Sequence, residues 1–173
     1  MSELVAKADK KSRARLQHSQ RGQAVKKGVA SGIVKYCVHG YSDMALRESH
    51  FTPTQMIQSV RKGLPISELN VLQTSLDVPM ERFALKLGIS KATLHRRKNE
   101  GRLTPEESDR VVRFARLLGL AVKVLETEEN ARRWLQSPQF GLAGEVPLDY
   151  AKTELGAREV EDLLGRIEYG VYS

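Results

Sequence analysis

Between residues 52 and 125, apolar side chains recur at helical intervals, and glycine, proline, serine or threonine marks each break. Thr54 to Lys62 is amphipathic, with Met56, Ile57 and Val60 on the inner face, and Gly63 ends it. Gly63-Leu64-Pro65 is a turn, after which Pro65 or Ser67 opens a helix carrying Leu69, Leu72 and Leu76. Met80 to Leu87 and Lys91 to Asn99 are two further short helical patterns. Leu103-Thr104-Pro105-Glu106-Glu107 reads as a helix start, with Thr104 at the N-cap, Pro105 at N1 and Glu107 at capping-box spacing. The helix beyond it, to about Leu125, aligns Val111, Val112, Phe114, Ala115, Leu118 and Val122 on a buried stripe. Its outer face bears Arg110, Arg113 and Arg116.

A second helical unit starts at Glu126. Thr127 caps a helix through Ala131, Trp134 and Leu135 that stops at Pro138, and Gln139 to Val146 is a glycine-containing connector. Pro147 opens a short helix to about Glu154, and Gly156 precedes a last helix with Val160, Leu163, Leu164 and Ile167 inward. In Ser31 to Gly40 the alternation of Ile33, Lys35 and Cys37 with Val34, Tyr36 and Val38 fits either a short strand or a helix start. Elsewhere no β-branched alternating run exists, so the expected fold is all-α. Residues 1–50 are expected to be a basic, flexible arm, residues 51–125 a helical domain and residues 126–173 a second, smaller one.

Val78 to Gly101, VPMERFALKLGISKATLHRRKNEG, has the organisation of a helix-turn-helix. Gly88 permits the positive φ of a tight turn, and Ser90 caps the second helix through its hydroxyl. Ala84 lets the helices cross closely, while Ile89 and Leu94 supply the contacts that set their angle. The second helix and its cap carry Ser90, Lys91, Thr93, Arg96, Arg97 and Lys98, donors suited to phosphates and base edges. Many such units place an apolar residue late in the recognition helix, where this chain has Arg97.

Charge adds a second partner to this picture. The net charge of +7 is unevenly spread: residues 1–50 hold 10 Lys/Arg against 4 Asp/Glu, and residues 80–116 hold 10 against 5. Residues 124–173 reverse the balance, with 5 against 10, which suggests a basic middle meeting nucleic acid and an acidic end meeting a protein.

Other chemistry is thin. Cys37, the only cysteine, excludes an internal disulfide, and the four histidines show no ligand spacing, so no metal and no cofactor are expected. Cys37 and His39 lack a third partner for a nucleophile, and no glycine-rich phosphate loop is present, so an enzyme is not expected. No apolar run approaches the length of a membrane span, about 18 residues. The first residues lack a signal-peptide core, so a cytoplasmic location is expected.

The run R-R-x-x-x-G-x-L-x-x-x-E-S-D-R, Arg96 to Arg110, resembles the DNA-binding region of Xre-type antitoxins. Downstream, Ala131, Trp134, Leu135, Pro138, Leu142, Gly144, Pro147 and Leu148 fall on the pattern of the Xre/MbcA/ParS toxin-binding domain. Thr153, Gly156, Val160, Leu164, Arg166, Ile167 and Gly170 continue it, so the resemblance spans residues 54–173.

The resemblance implies a type II antitoxin that binds a RES-domain toxin, an NAD⁺-depleting enzyme, covers its active site, and represses its own operon. It implies a toxin contact made by Trp134, Arg166, Tyr169, Gly170, Val171, Tyr172 and Ser173, with the Ser173 carboxylate adding a charge. A homodimer is expected, because one helix-turn-helix covers one half-site, together with a hetero-oligomer with the toxin. The alternative is a stand-alone regulator whose C-terminal domain only dimerises it.

Overall fold

The chain is described by a computed structural model over residues 32–39 and 51–171, and every regular element there is helical. In order these are α1 (Ile33–His39), α2 (Pro53–Arg61), α3 (Ile66–Leu76), α4 (Met80–Lys86), α5 (Lys91–Glu100), α6 (Pro105–Leu125) and α7 (Glu128–Gln136). A 3₁₀ turn (Phe140–Leu142), α8 (Pro147–Tyr150) and α9 (Glu154–Glu168) follow. The expected all-α fold is what the chain adopts.

The spine is α6. Thr104 and Glu107 close its capping box, the Thr104 hydroxyl accepting from Glu107 N at 3.2 Å and the Glu107 carboxylate from Thr104 N at 2.8 Å. Its buried residues include Val111, Phe114, Ala115, Leu117, Leu118 and Ala121, too broad a band for a surface helix. Accordingly α1, α2, α3, α7 and α9 all pack against it. Phe83 of α4 meets Phe114 edge to face, ring centres 5.9 Å apart, which seats the helix-turn-helix on the same spine.

Ser31 to Gly40, which sequence left open between strand and helix, holds helix α1. Its buried residues are Ile33, Val34, Cys37 and Val38, the i, i+1, i+4, i+5 spacing of one helical face. The helix start is capped from a distance: the Glu68 carboxylate, itself buried, accepts from Gly32 N at 2.6 Å and Val34 N at 2.9 Å. At the crossing with α6 a Cβ on Gly119 would run into the Cys37 carbonyl, so the approach requires glycine. This corrects the expected arm, because α1 packs into the core; residues 1–31 and 40–50 lie outside the described residues.

Three smaller corrections follow from tertiary packing. Ile57, expected inward, is 53% exposed, while Met56 and Val60 are half-buried. Helix α8 ends at Tyr150 rather than near Glu154. Thr153 then caps α9, its hydroxyl accepting from Gly156 N at 3.1 Å, so Gly156 sits inside the first turn instead of before it.

The largest correction concerns charge. Arg113 pairs with Glu154 at 2.9 Å, Arg116 with Glu161 at 2.7 Å and Lys123 with Glu168 at 2.7 Å. The pairs advance together along α6 and α9, so the two helices lie side by side in the same sense. Much of the acidic end is thus matched to basic residues of the same chain. Lys86 of α4 reaches Asp149 of α8 at 2.7 Å, and Gln136 Nε2 donates to the Leu76 carbonyl at 2.9 Å. Burial works against the Asp149 carboxylate, but hydrogen bonds from Lys86 and Lys152 outweigh it and hold its pKa below the usual range. Joined by these contacts, the described residues form one compact unit.

Candidate functional site

The helix-turn-helix is assembled from local rules and one distant side chain. Helix α4 stops at Leu87, Gly88 turns the chain at φ 70°, and Ile89 N donates to the Ala84 carbonyl at 2.8 Å. Arg110 of α6 donates to the Leu87 carbonyl at 2.8 Å, satisfying an acceptor that the end of α4 leaves open. Ser90 caps α5, its hydroxyl accepting from Thr93 N at 3.2 Å and lying 2.9 Å from the Thr93 hydroxyl. Ala84, Ile89 and Leu94 are buried, as expected.

Those contacts fix which face of α5 points outward. Ser90, Lys91, Arg96 and Lys98 are exposed and Thr93 is half-buried at the helix start. His95 and Asn99 join the exposed face. Sequence reasoning passed them over, although helical spacing carries both off the stripe that Leu94 buries.

Arg97 departs from the set. Its side chain is only 12% exposed, with Nε 2.7 Å from Glu107 Oε2 and Nη1 2.6 Å from Glu100 Oε2. Its hydrogen bonds to Glu107 and Glu100 raise its guanidinium pKa further. Three residues after Leu94, it takes the inward place that an apolar residue fills in many such units. Here the charge is matched by Glu107, which also closes the α6 capping box. The expected DNA donor is a strut between the recognition helix and the spine.

The C-terminal part carries two hollows separated by Gln139. Half-buried Trp134 lines the first, about 350 Å³, with Leu125, Asn130, Arg133, Ser137 and Gln139. Gln139 Nε2 donates to the carbonyls of Trp134 at 2.9 Å and Ser137 at 3.0 Å, which fixes the wall. On its other side Phe140, Gly141, Leu163, Arg166, Ile167 and Val171 line a groove of about 330 Å³.

The end of α9 bends back over its own last turn. Tyr169 N donates to the Gly165 carbonyl at 3.1 Å, Gly170 turns at φ 67°, and Val171 N donates to the Arg166 carbonyl at 2.9 Å. Tyr169 is 80% and Val171 56% exposed. Arg166 and Val171 thus share the groove, with Tyr169 and Gly170 in the turn that joins them, and Trp134 lines the hollow across Gln139; Tyr172 and Ser173 lie outside the described residues. Phe140 is fully exposed at the groove and was missed. Its signal was an aromatic residue in the connector, outside every helical stripe.

Cys37 belongs to neither surface. It is buried against α6, and burial pushes its thiol up to about 11, the wrong direction for a nucleophile. An aromatic disulfide reagent at pH 8 is expected to leave Cys37 untouched in the folded protein and to titrate one thiol in denaturant; rapid labelling of the folded form would contradict this burial. Among the described residues no group of three His, Cys, Asp or Glu is placed to hold a metal ion. No helix there is long and apolar enough to cross a membrane.

Residues 55–116 match the family model of the antitoxin Xre-like helix-turn-helix domain. Residues 120–170 match that of the antitoxin Xre/MbcA/ParS C-terminal toxin-binding domain. A DNA-binding unit followed by a toxin-binding unit defines a DNA-binding antitoxin. The chain is 34% identical over 122 residues to an antitoxin Xre of Yersinia enterocolitica, covering 69% of this chain and 82% of that relative. It is 31% identical over 116 residues to an antitoxin Xre of Photorhabdus laumondii, covering 66% and 78%. A 68-residue stretch is 35% identical to an antitoxin Xre of Pseudomonas putida, covering 39% and 43%. The chain belongs to the Xre antitoxin family.

Proposed function

We propose that this antitoxin neutralises a RES-domain toxin, an enzyme that depletes NAD⁺, by laying the end of α9 over its active site, and that it represses its own operon. The observation that carries the first half is the C-terminal cluster. Arg166 and Val171 line one groove with Tyr169 and Gly170 in the turn between them, Trp134 lines the hollow across Gln139, and the chain continues into Tyr172 and Ser173. Exposed aromatic rings and an arginine around apolar hollows are the composition of a protein-binding hot spot.

For repression, the contact set is Ser90, Lys91, Thr93, Arg96 and Lys98, extended by His95 and Asn99. Arg97 acts behind them by holding α5 at its angle. Two copies bind two half-sites of the operator, and the toxin complex is a hetero-oligomer built on that dimer.

The experiment is co-expression with the product of the neighbouring gene, pull-down, and measurement of cellular NAD⁺. The expected result is a stable complex, with NAD⁺ lost only when the antitoxin is absent. Removing residues 169–173 is expected to restore NAD⁺ loss while operator binding stays unchanged. If the truncated chain still neutralises fully, the tail does not cover the active site. A chain that binds operator DNA but no neighbouring product would instead be a stand-alone regulator.

A further inference from the structure

Phe140 is fully exposed on a turn that is anything but loose. Leu142 N and Gly144 N both donate to the Gln139 carbonyl at 3.0 Å, and Gln139 N donates to the Glu145 carbonyl at 3.0 Å. Leu142 is buried beneath the turn, and Gly141 rests on α9 so closely that a Cβ there would lie 2.6 Å from Leu163 Cδ1. The phenyl ring is therefore held out in water by an ordered backbone, a geometry with little ordering left to lose when a partner covers it. Next to it runs the groove floored by Leu163, Ile167 and Val171.

Arg166 stands at that groove, and its side chain has no ion pair among the described residues. The other arginines of its own domain differ: Arg132, Arg133 and Arg158 are each paired with a carboxylate. An apolar trough with one unmatched cation is complementary to an apolar segment that carries a carboxylate. The groove is also continuous with the toxin-binding domain, whose matched residues include Phe140, Leu163, Arg166 and Ile167.

We propose that the toxin seats an apolar, carboxylate-bearing segment in the groove between the Phe140 turn and α9, with Phe140 as its hydrophobic anchor and Arg166 as its counter-charge. The inference rests on the antitoxin reading and adds a second contact to it. The antitoxin tail enters the toxin, and the toxin fills the antitoxin's own groove. Phe140 thus adds affinity through a residue that the tail itself does not contain.

The test uses the full chain and the purified product of the neighbouring gene, with affinity measured by calorimetry and stability by thermal unfolding. Phe140→Ala is expected to weaken binding by about 30-fold or more, with the unfolding temperature and operator binding unchanged. Arg166→Glu is expected to weaken binding about tenfold or more, and Arg166→Lys to retain most of it, because the lysine keeps the charge. Wild-type binding with Phe140→Ala at full affinity overturns this inference and leaves the antitoxin reading standing. Absence of binding by the wild type overturns both.

Discussion

Lys91→Glu combined with Arg96→Glu is expected to reduce affinity for DNA from the chain's own promoter by at least about 100-fold, with folding and toxin binding untouched. Both side chains are exposed on the outer face of α5, and a good contact to a base edge is worth ~1–3 kcal/mol, so reversing two charges removes several. Arg96 approaches Glu100 only at 3.7 Å and its side chain is 61% exposed, so replacing it costs the fold little. The dependence of binding on salt should flatten as well, by about one unit of slope for each phosphate no longer neutralised. Fluorescence anisotropy across a salt series reads both effects. Unchanged affinity in the double variant would remove α5 from the DNA interface.

Arg97→Ala supplies the contrast. Removing the guanidinium leaves Glu107, whose side chain is 10% exposed, without its charged partner at the point where α6 begins. Here weaker DNA binding should be accompanied by a lower unfolding temperature. A double substitution of Arg96 and Arg97, the pair that sequence suggests, would mix the two effects.

Glu68→Ala is expected to destabilise the protein by about 3 kcal/mol, because a carboxylate hydrogen bond contributes about 1.5–3 kcal/mol and the change removes two. The two amides left behind, Gly32 N and Val34 N, open helix α1, and Val34 N is buried. With that cap gone, Ile33, Val34, Cys37 and Val38 lose their anchor against α6. The Cys37 thiol should then become reactive below the denaturant concentration at which the remainder unfolds. Urea titration followed by thiol labelling measures both steps. A wild-type midpoint would mean that packing alone, through the Gly119 crossing, holds α1 in place.

The parts of the fold legible in the chain were those built from neighbours in sequence. Thr104, Ser90 and Thr127 each cap a helix through an amide three residues away, and Gly88 turns the chain because its own φ is free. Helical spacing likewise placed Leu69, Leu72, Leu76 and Phe114 inside, since a helix repeats its faces whatever surrounds it. The resemblance of residues 54–173 to Xre antitoxins rested on the same kind of signal, short motifs at fixed spacing.

Other features depended on partners far along the chain. Helix α1 is core because Glu68, 34 residues beyond Val34, caps it, and a ten-residue apolar alternation has no way to announce that. Arg97 and Arg96 are adjacent cations of the same type, yet Glu107 turns one into a strut while the other stays at the surface. Glu154, Glu161 and Glu168 read as an acidic surface until α6 is laid beside them and their charge is matched at contact distance. Phe140 stands in the connector outside every helical stripe, but the packing of its turn on Leu163 is what holds the ring exposed. Periodicity and capping act over one helical turn and are written locally. Burial and charge neutralisation act through space, and only the assembled fold decides which residues meet.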